Sequence, residues 1–286
     1  MTKIIACIDG SAYVDNICNL SAWASKRINS NISLLHIVAP HYDAEAKGDL
    51  SGSIGVGAKS DLLKELTQID EARGKIEQQK GRLMLGYAQE ELKTLGITDM
   101  EILHRRGSLP ETVAELEDEA DLIIIGKSGE DTQDSSTHLG ANLEAVIRSV
   151  RKPLLVATKD KKSINSFLIS FDGSASSQKA IDYAIENPLL KGLECHLLRI
   201  ANLNQEREES SLKDAEEKLK QAGFKVISKL EKNKSIDDTV TQYVSENNID
   251  LLLMGAYGHS KIRNFILGST TTALVRKSKV PLLLFR

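Results

Sequence analysis

One loop of the sequence carries glycines and hydroxyl residues with a spacing that could hold a phosphate chain. Gly255 and Gly258 follow the apolar run DLLLM, and after nine intervening residues Gly268 and Ser269 open a helical pattern. Glycine lets the backbone approach an anion closely, and the start of a helix offers unpaired N–H groups. The loop could therefore bind a nucleotide, provided that the apolar run is a strand that ends beside it.

Neighbouring residues supply further polar and charged groups to this loop. Thr270 adds a hydroxyl donor, and Lys261 and Arg263 add positive charge. The alternative interpretation is a set of tight turns followed by a Ser/Thr helix cap, which needs no ligand. The loop alone does not decide between the two.

A second glycine-rich stretch, GSIGVGAKS at residues 52–60, resembles a phosphate loop but lacks its spacing. A Walker-type loop needs its second glycine directly before Lys and Ser/Thr, whereas Ala58 separates Gly57 from Lys59. The preceding residues are polar and show no strand pattern. We therefore interpret the stretch as a connection into the helical pattern that follows.

The composition is that of a chain with packed cores and no strong charge bias. The 286 residues suffice for about two domains, hydrophobic residues make up 41%, and the formal net charge is -3. This balance gives no support for a nucleic-acid or membrane-surface partner. The N-terminus lacks the apolar stretch of a signal peptide, and no run is long enough to cross a bilayer. We expect a cytoplasmic protein.

The three cysteines, Cys7, Cys18 and Cys195, predict neither a disulfide framework nor a metal site. Their number is odd, and no pair has metal-ligand spacing. Cys7 and Cys195 fall in apolar strand patterns, which is typical of small core residues. We expect a reducing compartment and no metal site formed by the chain itself.

The chain contains the same series of motifs twice. KIIACIDGSA near the start matches SFLISFDGSA at 166–175, and DLIIIG at 121–126 matches DLLLMG at 250–255. LGANLEAVIRSVRKPLLV at 139–156 matches LGSTTTALVRKSKVPLLL at 267–284 without a gap. Matched blocks in the same order indicate a tandem duplication. The hydrophilic stretch KDKKSIN marks the boundary, so we predict domains at 1–159 and 164–286.

Each half alternates short apolar runs with helical patterns. Runs of Ile, Leu and Val without polar alternation predict strands that are buried on both faces of a sheet. A helix such as SLKDAEEKLKQAG, 211–223, ends at Gly223, as a C-capped helix does. The fold class is therefore α/β, with two tandem doubly wound, Rossmann-like parallel sheets. The predicted strands are 3–8, 32–38, 100–104, 122–126, 153–158, 166–171, 194–200, 224–230, 250–254 and 281–285.

The first half carries an extra helical segment at about residues 41–75, between its second and third strands. GSIGVGAKS opens it, and a pattern typical of one or two amphipathic helices follows. Its simplest role is to cover surface or to contact the other half. A separate binding role is the alternative.

The sequence resembles a tandem universal stress protein, with two UspA-type domains in one chain. ATP-binding members of that family carry Gly, two residues, Gly, nine residues, Gly and then Ser or Thr, and residues 255–269 match this pattern in full. The family also has an Asp at the end of its first strand, matched by Asp172 and Asp9. The resemblance covers nearly the whole chain except the extra segment, and it implies an adenine nucleotide alpha hydrolase-like fold.

The same resemblance implies that the second half holds ATP, with or without Mg²⁺, in a stress-response or regulatory role. It places adenine near Asp172 and the backbone of Ile200. It places the ribose and phosphates along the loop and the next helix start, at Met254, Gly255, Gly258, Gly268, Ser269 and Thr270.

The corresponding loop of the first half, GKSGEDTQDSSTHLGAN, departs from the family pattern. Ala141 and Asn142 stand where the second half has Ser269 and Thr270, so a hydroxyl donor is lost. Acidic residues of the loop would repel phosphates, since a like-charge pair at ~4 Å costs roughly 1 to 4 kcal/mol. We predict a weaker site, or one for a ligand other than a triphosphate. Its candidate residues are Asp9, Ile37, Gly126, Gly129, Gly140 and Asn142. The acidic residues are Glu130, Asp131 and Asp134, and Lys127 and Asn142 could partly compensate for them.

Three functions stay open at this point. The first is a nucleotide-binding protein without efficient turnover, the second a slow ATPase or phosphotransferase, and the third an interaction module with vestigial sites. Turnover needs a base or a water-positioning group, for which His259 is the best candidate. A lone His on an exposed loop is more often a surface residue. Ser11 and Ser174, in the two DGSA stretches, are predicted to cap helices, because no GxSxG nucleophile turn is present.

The last strands of the two halves, at 153–158 and 281–285, are expected to pair with each other. In dimers of the resembled family, the last strands pair across a two-fold axis. A tandem chain can form that pair internally, as a pseudo-dimer. A further homodimer stays open, with the extra helical segment as its contact.

Overall fold

The computed structural model describes residues 3–39, 56–129, 140–201, 205–232, 235–256 and 268–286. These residues form two successive series of five strands and four helices. The strands are β1 (Lys3–Cys7), β2 (Asn31–Val38), β3 (Met100–Arg106), β4 (Leu122–Gly126), β5 (Leu154–Ala157), β6 (Ser166–Ser170), β7 (Glu194–Ala201), β8 (Val226–Lys232), β9 (Leu251–Gly255) and β10 (Leu282–Phe285). The helices are α1 (Val14–Ile28), α2 (Val56–Thr94), α3 (Leu109–Leu116), α4 (Ala141–Ser149), α5 (Ala175–Glu186), α6 (Gln205–Gln221), α7 (Ile236–Glu246) and α8 (Ser269–Lys277).

All ten strands join one sheet in the order β3-β2-β1-β4-β5-β10-β9-β6-β7-β8. Within each half every neighbouring pair is parallel. The first strand of each half lies between the second and the fourth, which is the order of a doubly wound sheet. The predicted α/β class is confirmed, and each observed strand begins and ends within two residues of its prediction.

The two halves meet where β5 pairs with β10. This pair is antiparallel, with Leu283 beside Leu155 at its centre. Both side chains are fully buried. The predicted internal pair of last strands is therefore confirmed, and the chain forms an intrachain pseudo-dimer.

Helices cover both faces of the sheet, which explains the unbroken apolar runs of the strands. One core lies under α1, α2, α5 and α6 and includes Ile17, Leu92 and Ile181. The other lies under α3, α4, α7 and α8 and includes Val146 and Val275. Strands covered on both sides gain stability from every residue, so polar alternation is not expected.

The end of α6 follows from its glycine, as the sequence indicates. Gly223 has φ +88, a left-handed conformation that costs glycine little. The Gly223 N–H donates to Lys220 O at 3.0 Å, and the Phe224 N–H donates to Leu219 O at 3.1 Å. These two bonds satisfy the last carbonyl groups of the helix in a Schellman arrangement.

The prediction of two serine helix caps is half right. The Ser174 hydroxyl accepts the N–H of Ser177 at 3.2 Å and so caps α5. Ser11 is not the corresponding cap, because α1 begins two residues later with Tyr13 as its N-cap residue. The Ser11 hydroxyl donates to the Asp9 carboxylate instead. The second residue after each DGS motif differs, Tyr13 against Ser176, so the turn is extended in the first half.

The extra segment of the first half contributes to one helix. α2 runs over 39 residues without a break, and residues 56–60 of the glycine-rich stretch form its first turn and more. Residues 41–55, where the segment begins, lie outside the described residues.

Candidate functional site

The predicted nucleoside-binding residues of the second half lie at the carboxyl edge of the sheet. Ser170 of β6 is level with Leu198 of β7 and with Met254 of β9. Asp172 follows β6 by two residues, and Ile200 lies two residues beyond Leu198 on β7. β6 lies between β7 and β9, and the order in which the chain adds strands to the sheet reverses here. Such a switch point opens a crevice that binds ligands in this fold class.

Asp172 and Asp9 take the same position in the two halves, and each accepts the N–H of the serine two residues further on. The Asp172 Oδ1 accepts the N–H of Ser174 at 2.8 Å, and the Asp9 Oδ1 accepts the N–H of Ser11 at 3.0 Å. An aspartate carboxylate that accepts the backbone N–H two residues further on stabilises the turn. Gly173 has φ +78, a conformation that strongly favours glycine. The Asp-Gly-Ser motif thus has a structural role in addition to the predicted binding role.

A buried arginine beneath this turn was missed by the sequence analysis. The Arg199 side chain on β7 is 8% exposed, and its Nη1 donates to the Ser211 hydroxyl at 3.1 Å. Its guanidinium carbon lies 5.3 Å from the centre of the Phe171 ring. A Cβ on Gly173 would come within 2.9 Å of the same Nη1. The sequence feature that could have indicated this buried arginine is a charged residue within the apolar run CHLLRIA.

The end of β9 is packed against the start of α5. A Cβ on Gly255 would lie 2.3 Å from the Ser176 Oγ and 3.0 Å from the Ser177 backbone nitrogen. Only glycine fits there, so Gly255 is required by helix–strand packing. The Met254 side chain is 5% exposed and belongs to the core under α7 and α8. Met254 therefore offers a ligand no side-chain surface.

The start of α8 is fastened to β9. Gly268 is its N-cap residue, with φ -59 and ψ 140. The Thr271 hydroxyl donates to the Ala256 carbonyl oxygen at 3.0 Å. Ser269 is exposed and Thr270 is half-buried. The first turn of α8 thus presents backbone N–H groups and hydroxyls at the same edge of the sheet as Asp172.

Gly268 differs from Gly255 because no described neighbour requires it to be glycine. A Cβ at this position would meet its first atoms, the Thr271 Oγ1 and the Ala256 oxygen, at 3.6 and 3.9 Å. These are ordinary contact distances, and its φ is accessible to any residue. Close approach of a ligand remains a physical reason for a glycine here.

Several loop residues named in the sequence analysis lie outside the described part of the chain. They are Gly258, His259, Lys261 and Arg263 in the second half, and Glu130, Asp131 and Asp134 in the first. Predictions about them are unchanged by the structure.

The first half brings most of its candidate residues together around one small cavity of about 220 Å³. The cavity lies at the carboxyl ends of β1, β2 and β4. This volume is below the roughly 300–1,000 Å³ of typical small-molecule sites. Gly140 is not part of the lining, but its Cβ position is 3.3 Å from the Ser128 Cα. The candidate residues that line the cavity are Asp9, Ile37, Gly126, Gly129 and Asn142.

His36 is a further lining residue of this cavity and the counterpart of Arg199. Its Nδ1 lies 2.8 Å from the Ile8 carbonyl oxygen, so that nitrogen carries the proton. The first half thus has a histidine where the second half has a buried guanidinium. Leu143, also in the lining, stands where the second half has Thr271, so no hydroxyl fastens α4 to β4.

Lys127 is engaged by the second half, and its position relative to the acidic residues of the first loop is outside the described part of the chain. Its Nζ donates to the carbonyl oxygens of Arg276 and of Ser278, the latter at 3.0 Å. It therefore joins the first half to the C-terminal end of α8, where a cation is favoured by the helix dipole. Burial lowers the pKa of Lys127 to about 8.

The cysteines are poor nucleophiles. Cys7, Cys18 and Cys195 are free and buried. Burial raises the pKa of each thiol to about 12, so little thiolate is present at neutral pH.

The described residues show neither a metal-binding cluster nor a membrane span. No group of three or more His, Cys, Asp or Glu in the described ranges could hold a metal ion. Nor is any helix within those ranges long and apolar enough to cross a membrane.

A larger cavity, of about 700 Å³, lies alongside α7 at the opposite end of the sheet. It is lined by Asn248 and Asp250, which precede β9, and by Lys162 and Lys279. The Asp250 carboxylate already accepts the N–H groups of Asn165 and Ser166, at 2.9 and 3.2 Å. The Asp250 carboxylate at the border of the cavity therefore holds the backbone of a neighbouring strand. None of the motifs predicted to bind a ligand lines this cavity.

Both halves of the chain match known proteins. Residues 1–158 and 164–286 each match the family model of the Universal stress protein family. The Universal stress protein Slr1230 of Synechocystis sp. is 36% identical over 288 residues, and the match covers 100% of both chains.

Solved structures share the fold over the whole chain. A universal stress protein from Archaeoglobus fulgidus superposes with a TM-score of 0.68 at 18% identity, covering 99% of this chain and 98% of the other. A protein of unknown function from Pseudomonas aeruginosa PAO1 gives a TM-score of 0.61 at 12% identity, covering 100% of this chain and 92% of the other. At these identities the two structures support the fold alone.

Proposed function

The chain belongs to the universal stress protein family, and from this premise we propose that it binds one ATP, in the crevice of its second half. Binding would serve a stress-response or regulatory role in the cytoplasm, without efficient turnover. The observation that carries the proposal is the first turn of α8, where the described neighbours leave room beside Gly268 and none of them requires a glycine. A phosphate chain, with or without Mg²⁺, would use that space.

The proposed pose follows the register of the strands. Adenine would lie near Asp172 and the backbone of Ile200, which lie two residues beyond the paired residues Ser170 and Leu198 at the carboxyl edge. The ribose would follow past the end of β9. The phosphates would reach the first turn of α8, where N–H groups and the hydroxyls of Ser269 and Thr270 can donate. Gly258 would complete the loop.

Arg199 gives this half a positive charge that the first half lacks. It is buried beneath the turn that carries Asp172. A cation in this position adds positive potential at the nucleoside end of the crevice. The proposal therefore assigns Arg199 an electrostatic and positioning role.

We propose that the first half is the weaker site. Its cavity is small, and the helix start at α4 has Ala141, Asn142 and Leu143 in place of three hydroxyl residues. Its loop also carries acidic residues. A micromolar affinity corresponds to about 8 kcal/mol, which a few like-charge contacts can remove.

Identification of the small molecules released by the denatured protein tests the proposal. Mass spectrometry of protein purified from the cell should find about one ATP or ADP per chain, and the Gly268→Asp variant should lose it. Two nucleotides per chain would show that the acidic first loop binds as well. Protein that is empty and also fails to bind added ATP would favour an interaction module with vestigial sites.

A further inference from the structure

The helix that begins at the proposed ATP site ends against the other half of the protein. α8 begins at the carboxyl end of β9, where the Thr271 hydroxyl holds it to Ala256, and it leads into the start of β10. Because β10 is antiparallel to β5, that start lies at the carboxyl end of β5, with Leu282 beside Val156. The nine residues of α8, about 13 Å long, thus connect the carboxyl edges of the two halves.

A lysine of the first half holds the end of α8. The Lys127 Nζ donates to the carbonyl oxygen of Arg276, in the last turn, and to that of Ser278, the C-cap residue, at 3.0 Å. The last carbonyl groups of a helix lack partners within the helix, and a cation beside them is favoured by the helix dipole. Lys127 therefore caps a helix that belongs to the other half.

Lys127 is itself fixed by contacts within the first half. Its backbone N–H donates to Ala157 O at 3.1 Å, which continues the pairing of β4 with β5. The hydroxyl of the next residue, Ser128, lies 3.0 Å from the hydroxyl of Tyr13, the N-cap residue of α1. The end of α8 is thus positioned relative to the sheet and the first helix of the first half.

Lys127 also adjoins the cavity of the first half. Gly126, which precedes it, and Gly129 both line that cavity, and a Cβ on Gly129 would lie 3.4 Å from the Asp9 Oδ2. The corresponding residue of the second half is Ala256, whose methyl group cannot donate a hydrogen bond to α4. A lysine in this position therefore connects the first candidate site to the helix of the second.

The reciprocal contact is present and uses a different residue. The Arg286 Nη1 donates to the Arg148 carbonyl oxygen in the last turn of α4. Arg286 directly follows β10, whose last residue, Phe285, is paired with Gly255 at the carboxyl edge of the second half. Each helix that begins at a candidate site therefore ends on a cation from the other half.

We propose that Lys127 is a positioning residue for ATP, through which the first half sets the ATP affinity of the second. This role rests on the proposed function, because it concerns the same ATP site. ATP would place negative charge at the first turn of α8, and Lys127 places positive charge at its last turn. Both charges suit the dipole of one helix, so each favours the other. Such coupling is reciprocal.

The coupling predicts that bound ATP raises the pKa of Lys127. Burial lowers that pKa to about 8. An anion at the other end of α8 favours the charged amine, so the pKa is higher in the complex. ATP affinity should therefore be full below about pH 8 and should fall as the pH rises through the pKa of the complex. Charged residues on the elements around Lys127 are Asp9, Lys159, Arg276 and Lys277, the last paired with Asp237 and Asp238.

Calorimetric titration of the full chain with ATP, at about pH 7 and about pH 9.5, tests this role. Lys127→Met keeps a side chain of similar length without the charge, and it should raise the ATP dissociation constant about tenfold at the lower pH. Between the two pH values the dissociation constant of the unmodified protein should rise about fivefold, and that of Lys127→Met less than about twofold. Lys127→Arg should bind well at both, because a guanidinium stays charged.

Proton uptake gives a second measurement, which a loss of folding stability alone does not alter. The heat of ATP binding at about pH 8, in buffers of different ionisation enthalpy, reports the protons that are taken up. The unmodified protein should take up a fraction of a proton more than Lys127→Met. Equal uptake by the two proteins would show that ATP does not change the protonation of Lys127.

Lys26→Met is the matched control, because the Lys26 Nζ donates to Leu95 O at 2.6 Å, just after the end of α2. This variant should leave the ATP dissociation constant and its pH dependence unchanged. Unaltered affinity and pH dependence in Lys127→Met would overturn the role of Lys127 and leave ATP binding itself standing. Failure of the unmodified chain to bind ATP at either pH would overturn the proposed function, and the role of Lys127 with it.

Discussion

The hydroxyl of Thr271 lies 3.0 Å from the carbonyl oxygen of Ala256, and this bond holds the first turn of α8 against the end of β9. The two residues are 15 apart in sequence and enclose the whole candidate phosphate loop. In the first half the residue in this position is Leu143, which cannot form the bond. The fastening of the helix start is thus specific to the half that we propose to bind ATP.

Removal of this hydroxyl should weaken ATP binding more than it weakens the fold. We expect Thr271→Val to raise the dissociation constant for ATP about tenfold, ~1.4 kcal/mol, because the helix start is less well positioned. Isothermal titration calorimetry measures the change. Thr239→Val is the matched control, since the Thr239 hydroxyl donates to Ser235 O at 2.6 Å on α7. An equal loss in both variants would contradict a positioning role for Thr271.

Substitution of two glycines of the loop should separate an effect on folding stability from an effect on ATP binding. Gly255→Ala should destabilise the protein by about 1–3 kcal/mol, because its Cβ would collide with the Ser176 side chain and the Ser177 backbone. Gly268→Ala should change stability by less than about 1 kcal/mol, since the described neighbours lie at ordinary contact distances and φ is accessible. It should nevertheless weaken ATP binding. Chemical unfolding and ATP titration of both variants measure the two effects; a Gly268→Ala variant that binds ATP normally would remove the main support for the site.

Turnover of ATP should be slow or absent. Efficient phosphoryl transfer needs a positioned base and, in most enzymes, metal-binding carboxylates near the terminal phosphate. The second-half loop has His259 as its best candidate base. We expect phosphate release far below the about 1 s⁻¹ that marks the low end of typical enzymes. Steady release that disappears in His259→Ala would instead identify a slow ATPase.

The β5–β10 pair should make the two halves unfold together. Leu283→Ala should destabilise the protein by about 2–5 kcal/mol, because the side chain is fully buried at the seam beside Leu155. The single tryptophan, Trp23, reports on the first half. Its fluorescence transition in guanidinium should shift with the far-UV circular dichroism transition. A shift in circular dichroism without one in Trp23 fluorescence would show that the halves unfold independently.

The fold could be predicted from the sequence because its signals are local. Each strand is a short apolar run, and the duplicated motifs identify equivalent strands in the two halves. The internal pairing of β5 and β10 came from the family resemblance, since strand order is not encoded in hydrophobic periodicity. Ser11 was wrongly predicted as a cap because its motif matches that of Ser174. Tyr13 follows in one case and Ser176 in the other, and that difference moves the helix start.

The site was less accessible to sequence reasoning, because contacts between distant residues decide it. The direction of the Lys127 side chain, toward the end of α8, depends on how the halves pack. The burial of Arg199 beneath Gly173 depends on the register of β6 and β7. The packing role of Gly255 depends on where α5 begins. In each case the sequence shows the residue itself, but not the distant residue that it contacts in the fold.

The most direct test of the central claim is an ATP titration of two matched variants by calorimetry. Ser269→Asp and Ala141→Asp place a carboxylate at the first residue of α8 and of α4, at exposed positions where an acid suits the helix dipole. The account predicts about one ATP per unmodified chain, loss of binding in Ser269→Asp, and normal binding in Ala141→Asp. Binding that survives in Ser269→Asp and is lost in Ala141→Asp would contradict it, as would two equal sites in the unmodified chain.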